Sequence, residues 1–465
     1  MSGFEGLRVL VVGLGVSGAA ATRALLAAGA DVRATDSGAG PEASSRAAEL
    51  AAAGAEVRLS DSAPESLLEG REAVVTSPGV PQSAPLLAAA IGSGLPVWSE
   101  PELAWRMARG RTRLIAVTGT NGKTTTTQLI SACLDAPAAG NIGSPLVEVL
   151  SAAEPPPLVV AELSSFQLRF TDTLRAEVGV LLNIADDHLD WHGSPEQYAN
   201  AKARIWAGQQ ASDWAVFNRE DARASQLAAD LPPGAGRAVG FTADSPGPGD
   251  IGIADGWVVT RRAAGEPQRV VAIDDLRLTG PHNLANVCAA VAAAQCAGAS
   301  PDELAAPLAA FEPGPHRLEL VAAVGGVDYV NDSKATNPHA AAAALQTFGS
   351  VVWIAGGLGK GVSFEPLADL IRERARAVIT IGESGPSIAA LARRLGVRAV
   401  EAGDLATAVS AAAALAAPGD TVLLAPACAS MDQFRDYAER GEAFRTAAQR
   451  LAHAPAPGAA KGAAR

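Results

Sequence analysis

A short β-branched run, Ile115-Ala116-Val117, leads into Thr118-Gly119-Thr120-Asn121-Gly122-Lys123-Thr124-Thr125, and a helix-forming segment, Thr126–Ile130, follows directly. No other stretch constrains the fold as strongly. A strand that ends in a glycine turn and restarts as a helix belongs at the carboxyl edge of a parallel sheet, with loop N–H groups and the positive end of the helix facing an anion. Lys123 is placed to reach terminal phosphates, and the Thr124 hydroxyl to ligate Mg²⁺. The ordinary phosphate loop carries a glycine five residues before Gly122, where this chain has Val117. The loop is therefore a tighter form whose first glycine is Gly119. Gly119, Thr120, Asn121, Gly122, Lys123, Thr124 and Thr125 are expected to hold the phosphates of ATP or GTP. What is done with the nucleotide does not follow from the loop.

The chain has 465 residues, enough for two to four domains with cores of their own. A net charge of −12 argues against nucleic acid or an anionic membrane as partner, so an anionic ligand must be met by local groups. Cys133, Cys288, Cys296 and Cys428 show no metal-ligand spacing and no disulfide framework. They read as buried thiols in a reducing compartment. The N-terminus enters a strand at Arg8–Val12 with no leader pattern, and no segment reads as a membrane span. A soluble, cytoplasmic protein and a monomer are expected.

Residues 1–101 alternate apolar runs (Val9–Val12, Val32–Thr35, Val57–Leu59, Ala73–Thr76, Pro96–Trp98) with alanine-rich helical stretches, which predicts a parallel α/β sheet. The first run ends in Gly13-Leu14-Gly15-Val16-Ser17-Gly18 and the second in Asp36, an arrangement suited to a nucleotide diphosphate and its ribose. A nicotinamide oxidoreductase is the first reading of that half. A second domain, residues 102–313, is expected to hold strands at Leu114–Val117, Leu158–Ala161, Val178–Leu182 and Ala215–Phe217. Pro232–Asp250 reads as a connection, followed by a hairpin of Ile251–Ala254 and Trp257–Thr260. A helix is expected from about Leu284 to Cys296, with Asn283 as a candidate N-cap. Residues 314–452 form a third α/β unit with runs at Val327–Val330, Val351–Ile354, Val378–Ile381, Arg398–Val400 and Val422–Leu424. The tail, 453–465, reads as disordered. In each unit the glycine and polar clusters fall just after strands, where open parallel sheets bind ligands. A shared cleft between the three is expected.

Glu162 closes the apolar run Leu158–Ala161, and a carboxylate there is costly unless paired or bound to a cation. A Mg²⁺ ligand and a salt-bridged strand end both satisfy it. His188, in Asp186-Asp187-His188-Leu189-Asp190, is either a metal ligand or an ordinary loop histidine. Lys202 alone reads as a surface lysine.

Taken together, Thr118–Thr125, Glu162–Gln167, Asp187–Asp190, Gly280–Asn283, Pro315-His316-Arg317 and Asn331–Asn337 resemble the Mur ligases, ATP-dependent amino-acid ligases of peptidoglycan precursor synthesis. The resemblance spans essentially the whole chain. Gly13–Gly18 and Pro426–Phe434 are similar to the D-glutamate-adding branch, and the Asp-Asn-Pro-Arg motif of the diaminopimelate-adding branch is absent. The resemblance implies three α/β domains: an N-terminal Rossmann-like one, a central P-loop-type mononucleotide-binding one, and a C-terminal Rossmann-like one. It implies an ATP-dependent ligase joining D-glutamate to UDP-N-acetylmuramoyl-L-alanine through an acyl phosphate, with two Mg²⁺ ions. Thr124 and Glu162 would hold the first ion. His188 and Lys202, a lysine carbamylated in this family, would serve the second. Asn283, Asn286, Arg317 and Asp332 would contact the nucleotide. Val16, Ser17, Asp36, Ser37, Ser77, Gly79 and Asn141 would hold the UDP-sugar, so Asp36 need not mean NAD. Lys334, Thr336, Lys360 and Ser430 would line the glutamate site beside Tyr437, where the family's D-glutamate ligase is expected to carry Phe. A nicotinamide oxidoreductase, a nucleotide-dependent regulator, and another ligase of the family are the competing readings.

Overall fold

A computed structural model describes residues 3–38, 40–60, 63–108, 110–261, 266–278, 280–359 and 361–453. The expected disordered tail lies, apart from His453, outside the described residues. The chain forms two compact units, Met1–Leu276 with Ala285–Phe311, and Arg277–Leu284 with Glu312–Arg465.

The first unit carries two sheets. The N-terminal sheet contains β1 (Arg8–Val12), β2 (Asp31–Asp36), β3 (Glu56–Leu59), β4 (Ala73–Thr76) and β5 (Val97–Ser99), in the order β3-β2-β1-β4-β5. Every pairing is parallel. Val9, Leu10, Val11, Val74 and Val75 are buried, as expected of strands covered by helices on both faces. The turn after β1 is tight. A Cβ on Gly18 would fall 1.8 Å from the Gly13 carbonyl oxygen, so only glycine lets the helix Val16–Ala27 start so close to the strand.

The larger sheet contains β6 (Arg113–Thr118), β7 (Ala138–Gly140), β8 (Leu158–Glu162), β9 (Val178–Leu181), β10 (Trp214–Asn218), β11 (Arg237–Phe241), β12 (Ile251–Ala254), β13 (Trp257–Thr260) and β14 (Gln268–Ala272). Their order is β14-β13-β12-β11-β10-β9-β6-β8-β7. The expected hairpin β12–β13 is antiparallel, in register Ile251 to Thr260. Three of these strands differ from the sequence reading. β11 lies inside Pro232–Asp250, which read as a connection, and β7 and β14 were not anticipated. Ala138-Ala139-Gly140 has no β-branched residue to announce it, and β11 starts on exposed Arg237 and Ala238. Both are strands because a neighbour pairs with them along the backbone, which local propensity does not encode.

The second unit's sheet contains β15 (Glu319–Val324), β16 (Val327–Asn331), β17 (Val351–Gly356), β18 (Ala375–Ile381), β19 (Arg398–Gly403) and β20 (Thr421–Leu424), in the order β15-β16-β20-β17-β18-β19. Only the unanticipated β15 runs antiparallel, against β16. The helix Pro281–Cys296 begins before the expected Leu284 because Pro281, with no N–H to leave unpaired, opens its first turn. Asn283 thus lies inside the helix and is not its N-cap. Cys288 and Cys428 are buried as expected, while Cys133 and Cys296 are only partly so. No helix among the described residues is long and apolar enough to cross a membrane.

In each sheet the chemistry-bearing turns follow three neighbouring parallel strands. These are β2-β1-β4 (Asp36, Gly13–Gly18, Ser77–Gly79), β9-β6-β8 (Asn183–His188, Gly119–Thr125, Glu162–Ser165) and β16-β20-β17 (Asp332–Asn337, Pro426–Ser430, Gly357–Gly359). Within the first unit the two sheets are joined at Glu100–Ala108, the helix after β5. Glu102 is fully buried there. Its carboxylate accepts N–H bonds from Asp172 (2.9 Å), Thr173 (3.0 Å) and Leu174 (3.0 Å), the Thr173 hydroxyl (2.7 Å) and Arg106 Nε (2.7 Å). Burial opposes the charge, but the Asp172 and Thr173 donors and Arg106 outweigh it and hold the carboxyl below its usual range. A carboxyl lowered on folding stabilises the protein above the ordinary carboxylate range, and that contribution disappears as pH falls through the lowered value. Glu102→Gln turns an acceptor into a donor facing donors. It is expected to lower stability by about 3 kcal/mol at neutral pH, with the gap to wild type closing as pH falls through the lowered carboxyl value, as read from urea midpoints across pH.

Candidate active site

The turn after β6 is built from its own backbone and from the two neighbouring strands. Thr118 Oγ1 donates to the Leu163 carbonyl (2.8 Å), tying the ends of β6 and β8. Thr120 N–H donates to the Asn183 carbonyl (2.9 Å), and Asn121 exchanges bonds with the Asn183 side chain (2.8 and 3.1 Å). Asn183 therefore splints the loop from β9, a role its place in the sequence did not suggest. Gly122 has φ +85°, and a Cβ on it would sit 2.3 Å from Asn286 Oδ1. This places Asn286, on the helix Pro281–Cys296, directly against the loop. Gly122 then leads into the helix Lys123–Leu134.

Two lysines converge on one carbonyl. Lys123 Nζ donates to the Gly119 (2.9 Å) and Thr120 (2.8 Å) oxygens, and Lys202 Nζ donates to the same Gly119 oxygen (2.7 Å). Lys202 is not the surface lysine of its default reading. It is buried near the end of the helix Pro195–Ala203, its ammonium 4.5 Å from the centre of the Tyr198 ring. Burial, and then the charge of Lys123, drive its pKa well below the usual lysine value, against the pull of Asp187 and Glu162. Tyr198, also unremarked in the sequence, is buried with its hydroxyl 3.0 Å from Thr120 Oγ1.

Glu162 ends β8 beside this loop and is buried. Oε1 accepts a bond from Asn141 Nδ2 (2.9 Å), while Oε2 is buried with no hydrogen-bond partner. A buried carboxylate oxygen so placed suits a cation. Asn141, expected against the UDP-sugar, holds Glu162 through its side chain, and its N–H also donates to the Glu162 carbonyl (2.8 Å). His188 stands in the left-handed region (φ 53°) at the start of the helix Leu189–His192, its ring edge-on to Phe166 at 4.7 Å and Nε2 3.6 Å from Asp187 Oδ2. Among the described residues no cluster of three or more His, Cys, Asp or Glu forms a protein-only metal cage.

At the N-terminal sheet, Asp36 accepts N–H bonds from Leu14 (2.5 Å) and Gly38 (2.7 Å), so its carboxylate shapes the glycine turn. Ser77 Oγ donates to the Gly13 carbonyl (2.7 Å) across β1 and β4. Val16 is 68% exposed, unusual for a large apolar residue, and Ser37 and Gly79 are exposed beside the partly exposed Ser17. Gln82 bridges the two sheets of the unit. Its Nε2 donates to the Trp191 and His192 carbonyls (3.3 Å each), and its Oε1 accepts from Arg169 (3.1 Å).

In the second unit, Asp332 Oδ1 accepts the Leu318 N–H (3.2 Å), and burial pushes its carboxyl up to about 7, against the Leu318 bond and the charge of Arg317. His316 and Leu318, on either side of Arg317, both have positive φ, and buried His316 contacts Asn331 Nδ2 through Nδ1 (2.9 Å). Lys334 Nζ donates to the Tyr437 hydroxyl (3.3 Å) and lies 4.8 Å from the ring centre. Thr336 follows in the same turn, its N–H bonded to the Lys334 carbonyl (2.9 Å), and Ser430 is buried after β20. Lys360 lies outside the described residues. Asn283 belongs to the Arg277–Leu284 segment of this unit, whereas Asn286 belongs to the first.

Three family descriptions match the chain in succession: "Mur ligase MurD-like, N-terminal domain" over residues 7–99, "Mur ligase middle domain" over 117–294, and "Mur ligase, glutamate ligase domain" over 316–428. The UDP-N-acetylmuramoylalanine–D-glutamate ligase of Frankia casuarinae is 50% identical, covering 96% of this chain and 94% of that one. The enzyme of the same name from Streptomyces avermitilis is 44% identical, covering 97% and 100%. Among solved structures, MurF from Acinetobacter baumannii aligns with a TM-score of 0.60 at 17% identity over 96% of this chain and 92% of its own. The MurF ligase of Thermotoga maritima in complex with ADP aligns with a TM-score of 0.56 at 18% identity over 83% and 90%. At these identities the two structures speak for the fold.

Gly122→Ala places a Cβ both in the left-handed region and against Asn286. It is expected to weaken nucleotide binding about tenfold or more while the rest of the fold survives. Titration with ATP checks this, and wild-type affinity would show that the loop does not need its glycine.

Proposed function

The chain belongs to the Mur ligase family, and from that premise we propose that it joins D-glutamate to UDP-N-acetylmuramoyl-L-alanine with cleavage of ATP to ADP and phosphate. The observation that carries the substrate choice is the 50% identity, over nearly the full length of both chains, to a ligase named for that reaction. The family's chemistry is ATP-dependent amide-bond formation, which answers what the phosphate loop is for. We place the reaction in the cytoplasm and assign it to a monomer.

The reaction brings anions together: a carboxylate, a triphosphate and an amino acid with two carboxylates. In the first step an oxygen of the alanyl carboxylate attacks the γ-phosphorus, the bond to ADP breaks, and an acyl phosphate forms. In the second the glutamate amine, once deprotonated, attacks the acyl carbon. The tetrahedral intermediate collapses, the carbon–oxygen bond breaks, and phosphate leaves. Lys123 and the positive end of the helix Lys123–Leu134 hold the transferring phosphoryl group and meet the charge that develops on it. Glu162, kept in place by Asn141, and the Thr124 hydroxyl would hold one Mg²⁺, and His188 with Lys202 would serve a second. Bound there, Mg²⁺ supplies charge neutralisation and polarisation of phosphate oxygens. Lys202 is suited to carbamylation because burial beside Lys123 favours its neutral amine, the form that adds CO₂. Asn283, Asn286, Arg317 and Asp332 are assigned to the nucleotide. Val16, Ser17, Asp36, Ser37, Ser77 and Gly79 are assigned to the UDP-sugar, and Lys334, Thr336, Ser430 and Tyr437, with Lys360, to glutamate.

Phosphate release measured with ATP, UDP-N-acetylmuramoyl-L-alanine and a panel of amino acids tests the reading. D-Glutamate is expected to be the active member, and release with another amino acid alone would reassign the enzyme within its family. Lys123→Ala is expected to abolish amino-acid-dependent turnover, a loss of at least about 10³-fold. Lys202→Ala is expected to be inactive and partly restored by short carboxylic acids. A fully active Lys202→Ala enzyme would remove the carbamate from the mechanism.

A further inference from the structure

The helix Leu189–His192 is a short turn that starts at His188. The His188 carbonyl accepts the Trp191 (3.1 Å) and His192 (3.0 Å) N–H groups, and the Leu189 carbonyl accepts that of Gly193 (2.8 Å). The Trp191 and His192 carbonyls stand beyond these bonds, at the end of a helix where carbonyls have no partner within the helix itself. Their partner comes from the turn after β4. Gln82 Nε2 donates to both, at 3.3 Å each, and lies 3.5 Å from Gln197 Oε1 on the helix that carries Lys202. Gln82 Oε1 accepts from Arg169 Nε (3.1 Å). A guanidinium only donates and a carbonyl only accepts, so these partners together fix which way the amide faces.

The other end of this clip is equally well tied. Val80 N–H donates to the Ser77 carbonyl (3.1 Å) and Ala84 N–H to the Pro81 carbonyl (2.9 Å), while Ser77 Oγ holds the Gly13 carbonyl (2.7 Å). Gln82 stands three residues after Gly79. One half-buried side chain thus runs from the Ser77–Gly79 turn to the carbonyl end of the helix that begins at His188. The remaining contacts of that helix do a different thing. Phe166 lies against His188 (4.7 Å), Trp191 (4.8 Å) and His192 (5.6 Å), and His192 Nε2 meets Ser165 Oγ (3.0 Å), which ties the helix to the turn after β8 in its own sheet. Trp191 also packs on the N-terminal cluster of Leu10, Val12 and Val74, but apolar contact is non-directional. The Gln82 amide supplies the direction.

We propose that Gln82 is a positioning residue for the sugar-nucleotide substrate, a single side chain that sets the turn assigned to the UDP-sugar against the segment that carries His188. This rests on the function proposed above. The alanyl carboxylate lies at the opposite end of that substrate from the uridine, and its attack needs it in line with the γ-phosphorus. A slip of about 1 Å between the two segments is enough to cost up to about 100-fold in rate. Water can replace the bonds of a half-buried amide, so the fold survives its loss while the alignment does not.

Two measurements on the full chain test this: equilibrium titration with UDP-N-acetylmuramoyl-L-alanine in the absence of ATP, and steady-state kinetics with a KM for each substrate, melting temperatures alongside. Gln82→Ala is expected to bind the sugar nucleotide about tenfold more weakly and to lower kcat about tenfold, with KM for ATP and D-glutamate within about twofold. Gln82→Lys, which still donates to the helix-end carbonyls, is expected to recover most of both losses. Gln82→Glu keeps Arg169 but turns an acceptor toward those carbonyls, and is expected to recover neither. Unchanged affinity for the sugar nucleotide, a loss confined to affinity or to kcat alone, or a rise of similar size in all three KM values would overturn the proposal. If Gln82→Ala does not fold, equal impairment of Gln82→Lys and Gln82→Glu overturns it. Wild-type enzyme without D-glutamate-dependent phosphate release would overturn the functional reading and this inference with it. An active wild type whose Gln82 variants match it in both measurements overturns this inference alone.

Discussion

Two ammonium groups share the Gly119 carbonyl oxygen, and the active site depends on that crowding. Lys123 comes from the residue after the loop and Lys202 from a helix far along the chain, at 2.9 and 2.7 Å from the same atom. The loop is thereby braced from both sides, with Asn183 holding the Thr120 and Asn121 N–H groups in place. The same geometry sets two lysines to different tasks. Lys123 is partly exposed at the start of its helix, whereas Lys202, buried behind it, is pushed toward the neutral amine. Glu162 completes the arrangement with one carboxylate oxygen fixed by Asn141 and the other reserved.

The fold repeats one device three times. A central strand, β1, β6 or β20, is flanked by two parallel partners, and the turns at the carboxyl ends of all three carry the polar groups. Chains with this topology place ligands where strand order reverses, because only there do neighbouring turns part without covering each other. The first sheet shows how little such a turn says about its ligand. Gly13–Gly18 and Asp36 suit NAD as well as a uridine nucleotide, and the Asp36 carboxylate already receives two N–H bonds from its own loops. Function is read from the second and third sheets, where hydroxyl, carboxylate and lysine are combined.

The parts legible in the sequence were those written locally. The β-branched runs before Gly13, Gly119 and Glu162 placed strands to within a residue or two, and the shortened glycine spacing at Val117 marked an unusual loop. What the sequence did not show was set by partners distant along the chain. β7, β11 and β15 are strands because a neighbour pairs with them, and Ala138-Ala139-Gly140 has nothing of its own to announce it. Asn183 and Tyr198 carry no motif of their own, and only the fold puts them beside Asn121 and Thr120. Pro281 extended a helix backward and moved Asn283 from cap to interior. The roles of Lys202 and His188 came from family resemblance, since a lone lysine or histidine carries no spacing to read.

The central claim is that ATP activates the alanyl carboxylate by phosphorylating it. UDP-N-acetylmuramoyl-L-alanine labelled with ¹⁸O in that carboxylate tests it directly, with the released phosphate examined by mass spectrometry. Attack by the carboxylate on the γ-phosphorus predicts that one labelled oxygen appears in phosphate for each amide bond formed. Phosphate that carries no label while the amide product accumulates would contradict the account.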